Sequence, residues 1–449
     1  MTDRSVDRTP PIEAALVLHP SRAGAPNLRD PDARLAEAVG LAQALDLQVR
    51  EARVVPLRAS TPATLFGKGK VEELAAVCRA HDVGVAVVDD QLTPVQQRNL
   101  ERAWEVKVVD RTGLILEIFA RRARTREGRL QVELARLAYE RSRLVRTWTH
   151  LERQRGGLSK TGGPGETQIE LDRRQLADRI ARLKKELEEV RRTRTLHREA
   201  RRRTPFPTIA LVGYTNAGKS TLFNRLTESA VEARDMLFAT LDPTVRTLKL
   251  PNGRPAAISD TVGFISDLPH ELVEAFRATL EEVQEADVIL HVRDISGTDT
   301  EAQKADVEQV LEELGAGPEQ LRESGQALIE VWNKIDLLPA EERERLLARE
   351  PRPEGVSGPE AVAVSAATGE GCGRLLERLV EAVDQGQPVE ALLRPSEGEA
   401  LAWLYRHGRV TDRAEEEGGA TRVGVRLDPH ALGRFERLFP EARLRPAAE

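Results

Sequence analysis

A chain of 449 residues allows roughly three domains at about 150 residues each, every one long enough to bury a core of its own. Its opening stretch MTDRSVDRTPPIEA has no apolar core of a signal peptide, and no run of about 18 apolar residues occurs; Cys78 and Cys372 are too few for a disulfide framework or a zinc cluster, so the reading is a cytoplasmic protein without membrane insertion. The net charge of −6 is uneven: residues 121–203 carry 25 Lys and Arg against 12 Asp and Glu, a balance of +13 that leaves −19 for the remainder and points to a polyanionic partner.

Residues 1–11 read as a disordered tail. From 12 to about 115, short apolar runs (14–18, 83–89 and 106–109) alternate with helical patterns, which predicts a small α/β domain. Its LFGKGKVEEL, 65–74, resembles a phosphate loop only superficially, since no Ser or Thr follows Lys70; a helix start with two lysines remains a candidate contact for RNA phosphate.

Residues 116–203 predict a long antiparallel helical hairpin. Leu130, Leu134, Leu137, Leu144, Trp148 and Leu151 recur at helical spacing, with Arg141 interrupting, and a second stripe runs through Ile169, Leu176, Ile180, Leu183, Leu187 and Val190. Each helix would be about 35 Å long at 1.5 Å per residue. The connection RGGLSKTGGPGE, 155–166, exceeds the roughly two to five residues such a turn needs. Arg153, Arg155 and Lys160 could neutralise RNA phosphates there, while Gly156, Gly157, Gly162, Gly163 and Gly165 would let backbone approach closely. The alternative is a solvated loop on a purely structural hairpin.

Residues 204–385 carry the chemistry. GYTNAGKS, 213–220, follows the apolar run Ile209, Ala210, Leu211, Val212 and opens a helical pattern, the context a phosphate loop requires. Gly213, Tyr214, Thr215, Asn216, Ala217 and Gly218 would wrap a triphosphate in backbone N–H groups, Lys219 would meet its β and γ oxygens, and Ser220, ahead of Thr221, would offer a hydroxyl to Mg2+. Asn216 has two readings: shaping the loop, or holding a K+ ion beside the phosphates.

FATLDPT supplies Phe238, Ala239, Thr240, Leu241 and Asp242, with Thr240 expected as the switch threonine on Mg2+ and Thr244 as runner-up. DTVG supplies Asp260, a Mg2+ ligand through water, then Thr261, Val262 and Gly263, whose N–H would sense the γ-phosphate. Lys219, Thr240 and Gly263 are thus the expected catalytic residues. Phe264 stands where Ras-like enzymes place a water-orienting glutamine, so intrinsic hydrolysis should be slow and a large activating partner is expected. His270 is a weaker candidate for the missing polar group, a solvated residue being the commoner reading.

NKID (Asn333, Lys334, Ile335, Asp336) ends an apolar run, where α/β sheets bind ligands. Asp336 can accept two hydrogen bonds from guanine, whereas adenine would leave its carboxylate unpaired, so GTP is favoured over ATP. Lys334 would lie along the base, Asn333 would tie loops together, and in Ser365, Ala366 and Ala367 the Ala366 N–H could meet guanine's carbonyl oxygen.

Residues 386–449 predict a small α+β domain without recognisable chemistry. The stretch 385–395 reads as a linker, followed by helices over 397–407 and 429–438 and strands over 410–415 and 421–427.

LFGKGKVEEL, DRTGLILEIFARRARTREGRLQVELA (110–135), GGPGETQIELDRR (162–174), FATLDPT and DTVGFISDLP together resemble the HflX family of ribosome-associated GTPases, over residues 12 to about 440. The resemblance implies an α/β protein with a translation-factor-type P-loop GTPase domain between the helical hairpin and the C-terminal domain. It further implies a factor that binds the large ribosomal subunit and its rRNA, separates stalled or idle 70S ribosomes, and is stimulated by them. A monomer best suits insertion into a ribosomal cleft. Two other readings stay open: a large-subunit assembly or quality-control GTPase, and a non-ribosomal regulator whose hairpin docks a protein.

Overall fold

The computed structural model describes residues 13–22, 29–152, 168–202, 206–228, 237–238, 240–241, 244–268, 272, 282–317, 320–321, 326–348, 360–383, 387–416, 420–427, 429–440 and 442–446. Among these, no helix is long and apolar enough to cross a membrane.

The first sheet is parallel, in the order β2-β1-β3-β4, from β1 (Ala14–Arg22), β2 (Gln48–Leu57), β3 (Val85–Val88) and β4 (Lys107–Asp110). Its central strands carry unbroken apolar runs, 14–18 in β1 and 85–88 in β3, because helices cover both faces. Four helices connect and follow the strands: α1 (Pro31–Gln43), α2 (Lys68–Ala80), α3 (Pro94–Trp104) and α4 (Arg111–Arg122). Thr93 and Gln96 start α3 with a reciprocal capping box, and the Asp110 carboxylate caps α4 by accepting from the Gly113 N–H at 2.9 Å. β2 was not marked as a strand by its sequence, since charged residues alternate along this edge position. At the start of α2, the Lys70 ammonium is already paired with Glu73 at 2.6 Å, which weakens it as a phosphate contact.

The hairpin consists of α5 (Arg126–Glu152) and α6 (Gln168–Arg202), 27 and 35 residues long. At 1.5 Å per residue they extend about 40 and 52 Å, longer than the sequence stripes imply. Leu137, Ile180 and Leu183 form the buried seam, with Leu130, Leu134 and Leu176 packed on it. The connecting loop, with Arg153, Arg155, Gly156, Gly157, Lys160, Gly162, Gly163 and Gly165, lies outside the described residues.

A six-stranded sheet follows in the order β10-β9-β8-β5-β7-β6, parallel except for β6. Its strands are β5 (Thr208–Gly213), β6 (Thr244–Lys249), β7 (Pro255–Asp260), β8 (Val288–Asp294), β9 (Ala327–Asn333) and β10 (Glu360–Ala363). Its described helices are α7 (Lys219–Thr227), α8 (Thr300–Glu313), α9 (Ala340–Leu347) and α10 (Cys372–Val383).

The last unit is antiparallel: β11 (Gln387–Leu393), α11 (Gly398–His407), β12 (Arg409–Glu415), β13 (Thr421–Leu427), α12 (Pro429–Leu438) and β14 (Arg443–Pro446), with strand order β12-β13-β11-β14. This β-α-β-β-α-β path is the split arrangement in which both helices cover one sheet face. The linker expected over 385–395 is therefore corrected. Val389, Ala391 and Leu393 alternate inward, and Gln387–Leu393 pairs with both β13 and β14 as a central strand.

One apolar cluster joins the first sheet to the six-stranded unit: Leu41, Ile118 and Phe119 from α1 and α4 pack with Val212, Phe238 and Phe264. Phe119 meets Phe238 edge to face, ring centroids 4.6 Å apart.

On β8, burial pushes the His291 imidazole down to about 3, with Arg293 and Lys304 adding to the effect against Glu330. From about pH 6.5 downward the unfolded chain takes a proton that the folded chain refuses, so stability is whole above this value and falls on acidification by about 1.4 kcal/mol per pH unit. Between about pH 6.5 and 4.5, above the range of ordinary carboxylates, thermal melts should show this slope, and His291→Leu should flatten it. An unchanged slope in the variant would remove the assignment.

Candidate GTP site

The phosphate loop sits where β5 ends and α7 begins, at the carboxyl edge of a parallel sheet. Gly218 has φ of 91°, and a Cβ there would fall 2.2 Å from Asn333 Nδ2, so the close approach of the two loops requires glycine. Lys219 is buried; its Nζ donates to the carbonyls of Gly213 at 2.9 Å and Tyr214 at 2.7 Å. Burial pushes this ammonium down to about 8, against the pull of Asp260. Asn216 is exposed, with φ of 60°. A cavity of about 470 Å³ opens beside the loop, lined by Thr215, Asn216, Leu237, Asp294 and Thr298 on one side and by Glu37 and Gly40 of α1 on the other.

Three side-chain oxygens converge below the loop. Ser220 Oγ lies 2.7 Å from Asp260 Oδ2 and 2.8 Å from Thr240 Oγ1, and Thr240 Oγ1 donates to the same carboxylate oxygen at 2.9 Å. Asp260 is fully buried, its other oxygen has no partner among the described residues, and burial pushes its carboxyl up despite Ser220, Lys219 and Thr240. An orphaned carboxylate oxygen beside two hydroxyls suits a small hard cation such as Mg2+. Thr244, by contrast, starts β6, with its Cα register opposite Asp260.

The base-reading loops are pre-tied. Asn333 Nδ2 donates to the Ala217 carbonyl at 2.8 Å, and its Oδ1 accepts the Ala366 N–H at 2.9 Å. That N–H, expected to meet guanine, is committed to Asn333, and a base would have to share it. Asp336 accepts from Ser365 Oγ at 2.6 Å, which fixes the carboxylate's direction, and Lys334 Nζ pairs with Asp294 at 2.7 Å. Ile335 is buried beneath. Ala239, Asp242 and His270 lie outside the described residues.

Phe264 is buried in the apolar cluster shared with α1 and α4. Its backbone zips onto the phosphate loop: Phe264 N–H donates to Gly213 O at 3.1 Å and Thr215 N–H to Phe264 O at 2.7 Å. A Cβ on Gly263 would stand 3.0 Å from Thr215 Cα and 3.1 Å from Lys219 Nζ, so this segment packs closely against the phosphate loop and its lysine. Sequence reasoning missed the groups that hold it there. Ser266 donates its N–H to the Tyr214 hydroxyl at 3.0 Å, while its carbonyl accepts from Arg111 Nη2 at 3.0 Å. Tyr214 in turn donates to Glu37 and accepts from Arg29 at 3.1 Å. Burial and Glu37 push the Tyr214 hydroxyl up to about 12, so it stays a donor. The only sequence signal was Arg111 directly after an apolar strand.

Four family models tile the chain: GTP-binding GTPase N-terminal over residues 32–120, GTP-binding GTPase Middle Region over 122–201, 50S ribosome-binding GTPase over 208–334, and HflX C-terminal domain over 354–446. GTPase HflX of Magnetococcus marinus is 50% identical over 417 residues, covering 92% of this chain and 93% of that protein. The chain belongs to the HflX family of GTPases. GTPase HflX of Escherichia coli is 45% identical, across 82% of this chain and 84% of its own. Putative GTP-binding protein 6 of Xenopus laevis is 37% identical, across 91% and 76%. As a member of the HflX family, the chain is a GTPase.

Asn333→Ala removes two buried hydrogen bonds and strands the Ala366 N–H and the Ala217 carbonyl. The expected cost is about 2–4 kcal/mol of stability, with weakened GDP binding. Denaturant titration and a fluorescent GDP assay check both; wild-type values for each would mean the tie is dispensable.

Proposed function

We propose that the chain is a GTP-hydrolysing factor that binds the large ribosomal subunit, dissociates stalled or idle 70S ribosomes and is stimulated by them. Phe264 carries the reading. The position that would orient the attacking water is apolar and buried, and its backbone is locked to the phosphate loop, so fast hydrolysis calls for an outside partner. Intrinsic turnover without such help is of order 10⁻⁴ per second in Ras-type enzymes, and an activator supplies up to about five decades. The basic hairpin favours a polyanionic partner, and the family description of residues 208–334 as a 50S ribosome-binding GTPase supports a ribosomal one.

In this reading Lys219 binds the β and γ oxygens, Asp336 reads guanine, and Ser220, Thr240 and Asp260 hold Mg2+. When bound, the ion would neutralise charge on the phosphates. Entry of the γ-phosphate needs Gly263 to leave Lys219 and the Phe264 ladder to open, which shifts the protein to its ribosome-active conformer. Hydrolysis lets the ladder close again. The glycine-rich loop at the hairpin tip, with Arg153, Arg155 and Lys160, would enter the ribosomal cleft.

GTP turnover should rise by about 100-fold or more on adding purified large subunits, and deleting residues 162–165 should lower that stimulation. No stimulation by subunits would move weight to a non-ribosomal switch. Sedimentation of 70S ribosomes with a non-hydrolysable GTP analogue separates splitting from assembly roles: splitting yields free subunits. Asp336→Asn should weaken GTP by about 100-fold or more and raise affinity for xanthosine triphosphate, measured by competition; unaltered GTP preference would remove Asp336 from base recognition.

A further inference from the structure

Among the described residues, helices cover one face of the C-terminal sheet and none covers the other. Val389, Ala391, Val423 and Val425 are buried on that face with Phe435. Alternate positions form the other face: Glu390, Leu392, Arg422 and Gly424 are only partly buried, and Asp412 and Arg445 are exposed.

Strand register concentrates arginine there. Arg409 on β12 is opposite Arg426 on β13; Leu392 on β11 separates Arg422 from Arg443; and Arg445 is opposite Glu390. By register, five arginine positions thus share the face with three carboxylate positions, Glu390, Asp412 and Glu416, although the segment as a whole is evenly balanced in charge. Among the described ion pairs, Arg422 reaches Glu390 at 3.4 Å, a bond within the face, and Glu416 at 3.5 Å.

We propose that this open face binds the phosphate backbone of RNA, as a second contact distinct from the helical hairpin. Four strands at about 4.8 Å spacing make a face roughly 14 Å wide, and a duplex carrying a charge every 1.7 Å or so presents several phosphates to it. The planar fork of arginine takes phosphate through paired N–H bonds. Sheets that read RNA sequence do so by stacking bases on aromatic residues. None of the positions named on this face is aromatic, so the contact is to the backbone and independent of sequence. The source of the RNA, the large subunit, rests on the function proposed above; the chemistry of the face does not.

The test uses the full chain with Arg409→Gln, Arg426→Gln and Arg443→Gln combined, binding a short RNA duplex of arbitrary sequence and, separately, purified large subunits across a salt series. Duplex affinity should fall about 10- to 100-fold at low salt, and the slope of log affinity against log salt should shrink by about 2–3, at roughly 0.9 per phosphate lost. Turnover of GTP without ribosomes should not change. Arg434→Gln with Arg437→Gln, on α12 across the sheet, should alter neither binding curve. Should the triple variant not fold, Arg445→Gln on the exposed edge strand should lower the slope by about one. A folded variant with the wild-type affinity and slope overturns the proposal. Loss of subunit binding with duplex binding intact also overturns it, in favour of an acidic protein. Weakened duplex binding in a chain whose wild type binds no subunits would leave the RNA face standing and remove the ribosomal reading instead.

Discussion

Arg111 has only 3% of its side chain exposed, and a charge so enclosed must be answered where it lies. Burial disfavours the cation, but Asp89 and Glu37 more than compensate, and the guanidinium is held above its ordinary range. Asp89, itself buried, is kept well below the usual carboxylate range by Arg111, His19 and Arg34. The remaining N–H groups of Arg111 go to the carbonyl and hydroxyl oxygens of Ser266, three residues past Gly263. Losing one partner of such a group costs about 3–5 kcal/mol, because the other charge is stranded. The first sheet and the nucleotide switch are therefore bound by a network that is expensive to leave half made.

Around that polar hub lies a continuous apolar cluster with Phe264 and Phe238 on one side and α1 and α4 on the other. Arg122 adds a bond to the Phe238 carbonyl at 3.1 Å. Phe238 and the segment from Phe264 to Ser266 are thus seated on the N-terminal domain. In the proposed reading, a phosphate that lifts Gly263 from Lys219 would also pull on Ser266, and through it on Arg111, Glu37 and Tyr214. Replacing the water-orienting glutamine by phenylalanine serves this arrangement: the ring anchors the switch in an apolar seat that a polar side chain would not enter without cost.

Legibility from sequence followed how local the cause was. Parallel strands buried on both faces announce themselves as apolar runs, so β1, β3, β4 and β5 were plain, as were the hairpin stripes. β2 and β11 were obscure for opposite reasons. One is an edge strand with charges alternating along it. The other begins in a proline-containing stretch, and the apolar positions Val389, Ala391 and Leu393 gain meaning only from pairing on both sides. Motif spacing placed Ser220, Thr240 and Asp260 in one list; the fold brings their oxygens within 2.9 Å of each other.

The sequence by itself determined the α/β class, the family and the nucleotide chemistry, because phosphate loops and strand-end motifs are short-range patterns whose function is written in residue type and spacing. Only the tertiary structure decided which groups restrain that chemistry. Arg111, Glu37 and Ser266 are ordinary residues far apart in the chain, and nothing in the sequence marks them as partners. They become a unit because a buried charge must find its partners wherever folding brings them, just as strand register, not sequence proximity, sets which positions of the C-terminal sheet lie opposite one another.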